Sequence, residues 1–190
     1  GHAAVSWLLE YAAPLVKVTI VPRGRSLGAA WYLPDERQIT TTEQMLDEMA
    51  ATMGGRAAEH VVFDKISTGA LSDLEKVTKQ ARAMVTIYGL NEELGNITYY
   101  DSQGQSEYMQ KPYSENTAEK IDKEISKIIE GQYQRAIELL RSNREKLDQL
   151  AQLLLDKEVI FKENVKEIFG PRPWDKEEEV VEEAVEVEVV

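Results

Sequence analysis

Residues 43–63 read EQMLDEMAATMGGRAAEHVVF, and their spacing decides the fold class. Met45, Leu46, Met49, Ala50, Met53, Ala57 and Val61 recur at the 3.6-residue period of an amphipathic helix. Ahead of them Thr40-x-x-Glu43 fits a capping box, in which hydroxyl and carboxylate satisfy each other's backbone donors. Gly54-Gly55 interrupt the helix at a cost of about 1 kcal/mol per glycine. Paired glycines inside a helix usually admit another backbone or element at close range.

The helical pattern continues downstream. A short loop, Ser67-Thr68-Gly69-Ala70, leads to Ser72-x-x-Glu75, a second capping box, and then to Leu74, Val77, Ala81, Met84, Val85 and Tyr88 at helical spacing until Gly89. Residues 91–113 have no clear period and are expected to form a long loop. Asn116-x-x-Glu119 opens a long helix with Ile121, Ile125, Ile128, Ile129, Ala136, Ile137 and Leu140 on one face. Ser142-x-x-Glu145 opens the next, with Leu147, Leu150, Ala151 and Leu154, and Val165, Ile168 and Phe169 form a last short amphipathic piece.

Upstream, His2 to Ala13 reads as the end of a helix stopped by Pro14, and the helix is expected to continue before residue 1. Val16, Val18 and Ile20 alternate with polar neighbours, so residues 17–21 are expected as a half-buried strand. Pro22-Arg23-Gly24-Arg25 supplies the turn, Ala29 to Leu33 the returning strand, and Pro34-Asp35 its end. The expected fold is mainly α, with one small β-hairpin and no internal repeat.

Composition narrows the chemistry. The 190 residues are 43% apolar and 29% charged, a globular balance. No cysteine is present, which removes disulfides, thiolate metal sites and cysteine nucleophiles. No apolar run approaches a membrane span, and no signal peptide opens the chain. The net charge of −12 argues against nucleic acid as a main partner, because phosphate binding needs a basic face. Residues 175–190 carry −7 of that charge and alternate Glu with Val. A domain over 1–170 is therefore expected, followed after Gly170, Pro171 and Pro173 by an acidic disordered tail over 171–190. A docking role for the tail is the sharper alternative, which nothing in the sequence promotes.

With two histidines, few residues can bind a metal or move a proton. His2, near the chain's start, reads by default as a frayed surface residue. His60 falls in the apolar stripe of the 43–63 helix, where a buried, hydrogen-bonded histidine is the plain account. Asp73 stands at a helix start, where the dipole favours acids. Glu59 flanks the apolar stripe without being diagnostic. These residues alone define a soluble helical domain and nothing more.

The order of short motifs adds to this. Gly1-His2-Ala3, Val16-Lys17-Val18-Thr19-Ile20-Val21-Pro22-Arg23-Gly24-Arg25, Leu27-Gly28 and Leu33-Pro34 come first. Gly54-Gly55-Arg56-Ala57-Ala58-Glu59, Ser67-Thr68-Gly69-Ala70, Ser72-Asp73-Leu74-Glu75 and Ala81-Arg82-x-Met84-Val85-Thr86 with Gly89 follow. In this order and spacing, over residues 1 to about 170, the series closely resembles the FtsH family of ATP-dependent membrane zinc proteases.

That resemblance implies a helical zinc metallopeptidase domain. In the family both histidines of His-Glu-Ala-Gly-His and a distant aspartate hold the metal. The i, i+4 spacing puts both imidazoles on one helix face, and the glutamate is the general base for water. His2 matches the second histidine, Asp73 matches the distant aspartate, and Glu59 matches an acid expected to orient a ligand imidazole. His60 stands where the family usually has a second acid, with a substitute ligand as the lesser reading. The first histidine and the general-base glutamate would lie upstream of residue 1, so this chain is expected to bind Zn2+ weakly and to lack peptidase activity.

The resemblance also implies a longer parent whose ATP-binding module and membrane anchor are absent here. That parent is expected to be a homohexamer at the cytoplasmic face of the bacterial inner membrane, with unfolded polypeptides as substrates. This chain is expected to be soluble, touching a membrane only through upstream segments. The alternative is a helical oligomerisation and partner-docking module built on the long helices from 117 to 155 and the acidic tail.

Overall fold

The computed structural model describes residues 1–22, 28–33, 39–100 and 112–175. Among them the chain runs α1 (His2–Trp7), β1 (Leu15–Thr19), β2 (Ala29–Tyr32), α2 (Thr42–Thr52), α3 (Gly54–Phe63), a 3-10 turn (Thr68–Ala70), α4 (Leu71–Thr86), α5 (Glu115–Ser142), α6 (Arg144–Lys157), β3 (Val159–Phe161) and α7 (Lys162–Phe169). The mainly helical class expected from periodicity is what the chain adopts.

Several boundaries differ from the expected ones. The cap of α2 is Thr41, whose hydroxyl accepts from Gln44 N at 3.3 Å while Gln44 Oε1 accepts from Thr41 N at 2.8 Å. The capping box thus lies one residue beyond Thr40 and Glu43, because an amide serves the reciprocal bond as well as a carboxylate does. The long helix α5 is capped by Ser114, which accepts from Thr117 N, and not by Asn116. α4 begins at Leu71 without a side-chain cap, so Ser72 lies within it. The 43–63 stretch forms two helices that meet at Met53. The break is shallow, since Met53 N still bonds to Met49 O and Ala57 N to Met53 O, both at 3.0 Å.

The hairpin is present, but it belongs to a three-stranded antiparallel sheet of order β2-β1-β3. β1 is the centre: Val18 faces Ala30 on one side and Ile160 on the other. β1 starts and ends two residues earlier than the alternation of Val16, Val18 and Ile20 implied. β3 is only three residues long, squeezed between two helical patterns, too short to announce itself by period. The turn at residues 23–27, the strand end at Pro34-Asp35 and residues 101–111 of the loop expected over 91–113 lie outside the described residues. Of the segment expected as a tail, residues 171–175 pack on the body through Arg172, which is 6% exposed; residues 176–190 lie outside the described residues.

Two groups of buried side chains organise the packing. One joins Ala4, Val5 and Trp7 of α1 to Ala136, Ile137 and Leu140 of α5, Leu147 and Leu150 of α6, Ile160 of β3 and Val165 of α7. The other joins Met45 and Met49 of α2 and Met53 to Val77, Ala81, Met84 and Val85 of α4 and Ile121 and Ile125 of α5. Each fully buried Leu, Ile, Val or Met stabilises by roughly 1.5–3 kcal/mol. The consequence for function is positional. α1 is anchored by the first group and α4 by the second, with α2, α3 and α5 between them holding the two at fixed separation.

Candidate metal centre

Two residues 71 positions apart in sequence meet at the junction of these groups. His2 opens α1 and Asp73 stands in the first turn of α4, and His2 Nε2 lies 3.1 Å from Asp73 Oδ2. Both side chains are partly open to solvent, at 40% and 26% exposure. An isolated ion pair this exposed contributes little to stability. At this distance the two side chains are within hydrogen-bonding reach of each other.

The fit of a zinc ion can be tested on that distance. Tetrahedral zinc with bonds of about 2.0–2.2 Å to nitrogen and oxygen sets neighbouring ligand atoms about 3.3 Å apart. The observed 3.1 Å is close to that spacing, and a neutral imidazole with a carboxylate is a donor pair zinc accepts. The two residues fit as part of a ligand set. Among the described residues no group of three His, Cys, Asp or Glu side chains converges.

The paired glycines explain how His2 reaches this place. A Cβ on Gly55 would lie 3.0 Å from both ring nitrogens of His2 and closer still to Cε1. A Cβ on Gly54 would lie 2.9 Å from Gly1 O and 3.0 Å from His2 Cα. Side chains at these positions would occupy the space of the imidazole and of the α1 backbone. The close approach expected of a Gly-Gly pair is the approach of α1 itself.

Glu59, expected to orient a ligand imidazole, is bonded in this chain to Ser67. Its Oε2 accepts from Ser67 N at 2.9 Å and its Oε1 from Ser67 Oγ at 2.7 Å. Ser67 Oγ in turn accepts from Gly69 N at 3.2 Å, and Arg56 Nη1 reaches Ser67 O at 3.5 Å. Glu59 thus ties down the turn that leads into Asp73, and the structure does not bring its carboxylate onto the His2 imidazole. His60 is partly buried, with Nδ1 3.2 Å from Tyr133 Oη and the two rings edge to face. That is the hydrogen-bonded histidine expected on plain grounds.

His2 and Asp73 line a cleft of about 540 Å³ that also takes in Tyr32, Gln44, Glu48 and Lys76. Burial, and then the Asp73 carboxylate, push the Tyr32 phenol up to about 12, so it is a protonated donor at neutral pH. Lys76 and Glu48 pair at 2.8 Å across the wall. Sequence reasoning passed over all three. Lys76 was accessible to it, standing one helical turn after Asp73; Tyr32 and Glu48 were not, because only tertiary packing turns them toward the cleft. The buried Asp47 was also missed: it accepts from Tyr11 N at 2.9 Å and pairs with Arg135 at 2.7 Å, fixing the segment after α1 to α2 and α5.

Comparison with known proteins adds to this geometry. The model of peptidase family M41 matches residues 1–168. An ATP-dependent zinc metalloprotease FtsH from Parabacteroides distasonis is 61% identical over 96% of this chain and 27% of that protein. One of the same name from Rhodothermus marinus is 49% identical over 92% of this chain and 25% of that protein. The mitochondrial inner membrane m-AAA protease component AFG3L1 of Mus musculus is 45% identical over 98% of this chain and 23% of that protein. The chain spans about a quarter of the length of the curated relatives it matches.

Proposed function

The chain belongs to peptidase family M41, and from that premise we propose that it is the peptidase domain of an ATP-dependent zinc endopeptidase acting on unfolded or membrane proteins. The observation that carries the reading is the 3.1 Å approach of His2 Nε2 to Asp73 Oδ2. These two residues would hold the zinc ion, which when bound polarises the scissile carbonyl and lowers the pKa of water toward about 7.

The chain's own residues then have separable tasks. Asp73 brings negative charge to balance the cation, and its place in the first turn of α4 fixes that charge. Gly54 and Gly55 let α1 sit close enough for the imidazole to reach the same point. Glu59 holds the Ser67 turn, so the approach to Asp73 keeps one shape. Tyr32, protonated, offers a hydrogen-bond donor on the cleft wall. β2 lies at the edge of its sheet, beside the cleft through Tyr32. An extended substrate could add there as a further strand, bound through backbone hydrogen bonds that are indifferent to most side chains.

Among the described residues the donor set is incomplete for this task. We place the further imidazole and the general-base carboxylate in the part of His-Glu-Ala-Gly-His that precedes His2. By itself, this chain then binds zinc weakly and does not cleave peptides. A membrane anchor, an ATPase module and a homohexameric ring in the whole protein belong to the same proposal; no helix among the described residues is long and apolar enough to cross a membrane.

The test is to extend the chain by its native upstream residues and follow zinc-dependent cleavage of an unfolded protein. Activity that appears on extension and disappears with Asp73→Ala, at unchanged helical content, supports the reading. An extended protein that stays inert while binding zinc elsewhere contradicts it and favours a helical assembly and docking module.

A further inference from the structure

We infer that Arg172 is a positioning residue for His2, acting through a clasp that residues 170–175 close on the far end of α1. Its meaning for the metal centre rests on the reading just proposed. α1 has six residues, and a helix so short does not hold itself in water. The carbonyls of Ala4, Val5 and Ser6 accept from Leu8 N and Leu9 N, while Leu9, Glu10 and Ala12 lie in the turn beyond the helix.

Arg172 holds the carbonyls of that turn. Its Nη2 donates to Leu9 O at 2.8 Å, to Ala12 O at 3.2 Å and to Glu10 O at 3.4 Å. Its Nη1 lies 3.2 Å from Asp175 Oδ1, and the Trp174 ring covers the guanidinium at 5.6 Å. A second strap comes from α1 itself, where Trp7 Nε1 donates to Gly170 O at 3.0 Å. The end of α1 and the turn beyond it are therefore bound to one segment some 160 residues later in the chain.

The clasp reaches His2 because α1 behaves as a short rod. Ala4 and Val5 are fully buried between the two ends, so a shift at Leu9 is carried to the first turn and not absorbed by solvent-facing side chains. At that first turn the imidazole sits over Gly55 and its reach to Asp73 is a single 3.1 Å contact. A rod released at one end loses this contact before it loses its packing.

The test compares Arg172→Met, Arg172→Lys and Ile125→Ala in this chain. Ile125→Ala opens the other core group and touches neither α1 nor the clasp, so it controls for general destabilisation. Amide hydrogen exchange at Val5 and Leu8 and the Zn2+-induced shift of the His2 Hε1 resonance are read at matched global stability. Arg172→Met is expected to speed exchange in α1 by about tenfold beyond the control and to weaken the zinc response by about tenfold. Arg172→Lys keeps a charged donor without the fork and is expected between Met and wild type. Exchange in α1 for Arg172→Met no faster than for Ile125→Ala overturns the inference. A wild-type chain whose His2 resonance ignores zinc sinks the metal reading instead, and the exchange result alone then decides the clasp.

Discussion

Alanine at each of the two paired glycines should have opposite consequences, although the substitutions are chemically identical and adjacent. In an ordinary helix interior Gly→Ala stabilises by about 1 kcal/mol, and at Gly54 and Gly55, the first two residues of α3, that figure is the upper limit of the gain. Against it stands what each new methyl meets. At Gly55 the Cβ would press on the His2 ring, 3.0 Å from both nitrogens. The ring is the far end of a side chain that is 40% exposed, so it can rotate toward solvent at little cost. At Gly54 the Cβ would press on backbone, 2.9 Å from Gly1 O and 3.0 Å from His2 Cα. Backbone can yield only if α1 moves, and overpacking of this kind costs about 1–3 kcal/mol.

Gly55→Ala should therefore leave stability within about 1 kcal/mol of wild type while breaking the His2–Asp73 approach. Gly54→Ala should lower stability by up to about 2 kcal/mol after the propensity gain is subtracted. Urea unfolding followed by circular dichroism gives the stabilities, and zinc titration calorimetry on the extended protein gives the metal affinity. The expected pattern is a stable Gly55→Ala variant with zinc affinity reduced at least about tenfold, since one ligand in a tetrahedral set is displaced. A Gly55→Ala variant that gains about 1 kcal/mol and keeps full zinc affinity would refute the seat assigned to the imidazole.

Three further outcomes follow from the same contacts. The Tyr32 phenol ionises only near pH 12 in the folded chain and near 10 when unfolded, so its contribution is fully present below pH 10 and is lost as pH rises through 12. Two units cap that loss at about 2.7 kcal/mol, and Tyr32→Phe should flatten the alkaline limb of the stability–pH curve. His60→Ala should cost about 1 kcal/mol through its Tyr133 hydrogen bond and leave zinc affinity unchanged; a loss of metal would revive His60 as a ligand. Asp47→Ala should cost about 1.5–3 kcal/mol, the range for a lost charged hydrogen bond, because the buried Asp47 carboxylate both accepts from Tyr11 N and pairs with Arg135; urea midpoints decide.

Much of this molecule was legible in its sequence where the signal is periodic. The methionine stripe at 45, 49 and 53 and the isoleucines of α5 predict the second core group, because burial on one helix face is a local pattern. Gly54-Gly55 announced a close approach correctly, since no other residue leaves that space. What was not legible depends on contacts between distant segments. β3 owes its existence to β1, through Val18 facing Ile160, and three residues carry no period of their own. Gly170, Pro171 and Pro173 read as a domain's edge, yet Arg172 between them is buried by the carbonyls of residues 9–12. The bonds that Glu59 accepts from Ser67, eight residues on, had no signal in the sequence either. The caps shifted by one or two residues because Thr40 and Thr41, or Ser114 and Asn116, are chemically equal candidates until the first turn forms.

The pairing of His2 with Asp73 bears the most weight, and anomalous diffraction at the zinc edge from zinc-soaked crystals of the extended protein tests it directly. A single peak about 2.0–2.2 Å from both His2 Nε2 and an Asp73 carboxylate oxygen is the predicted result. A peak that bypasses either residue, or one centred at His60, would contradict the account.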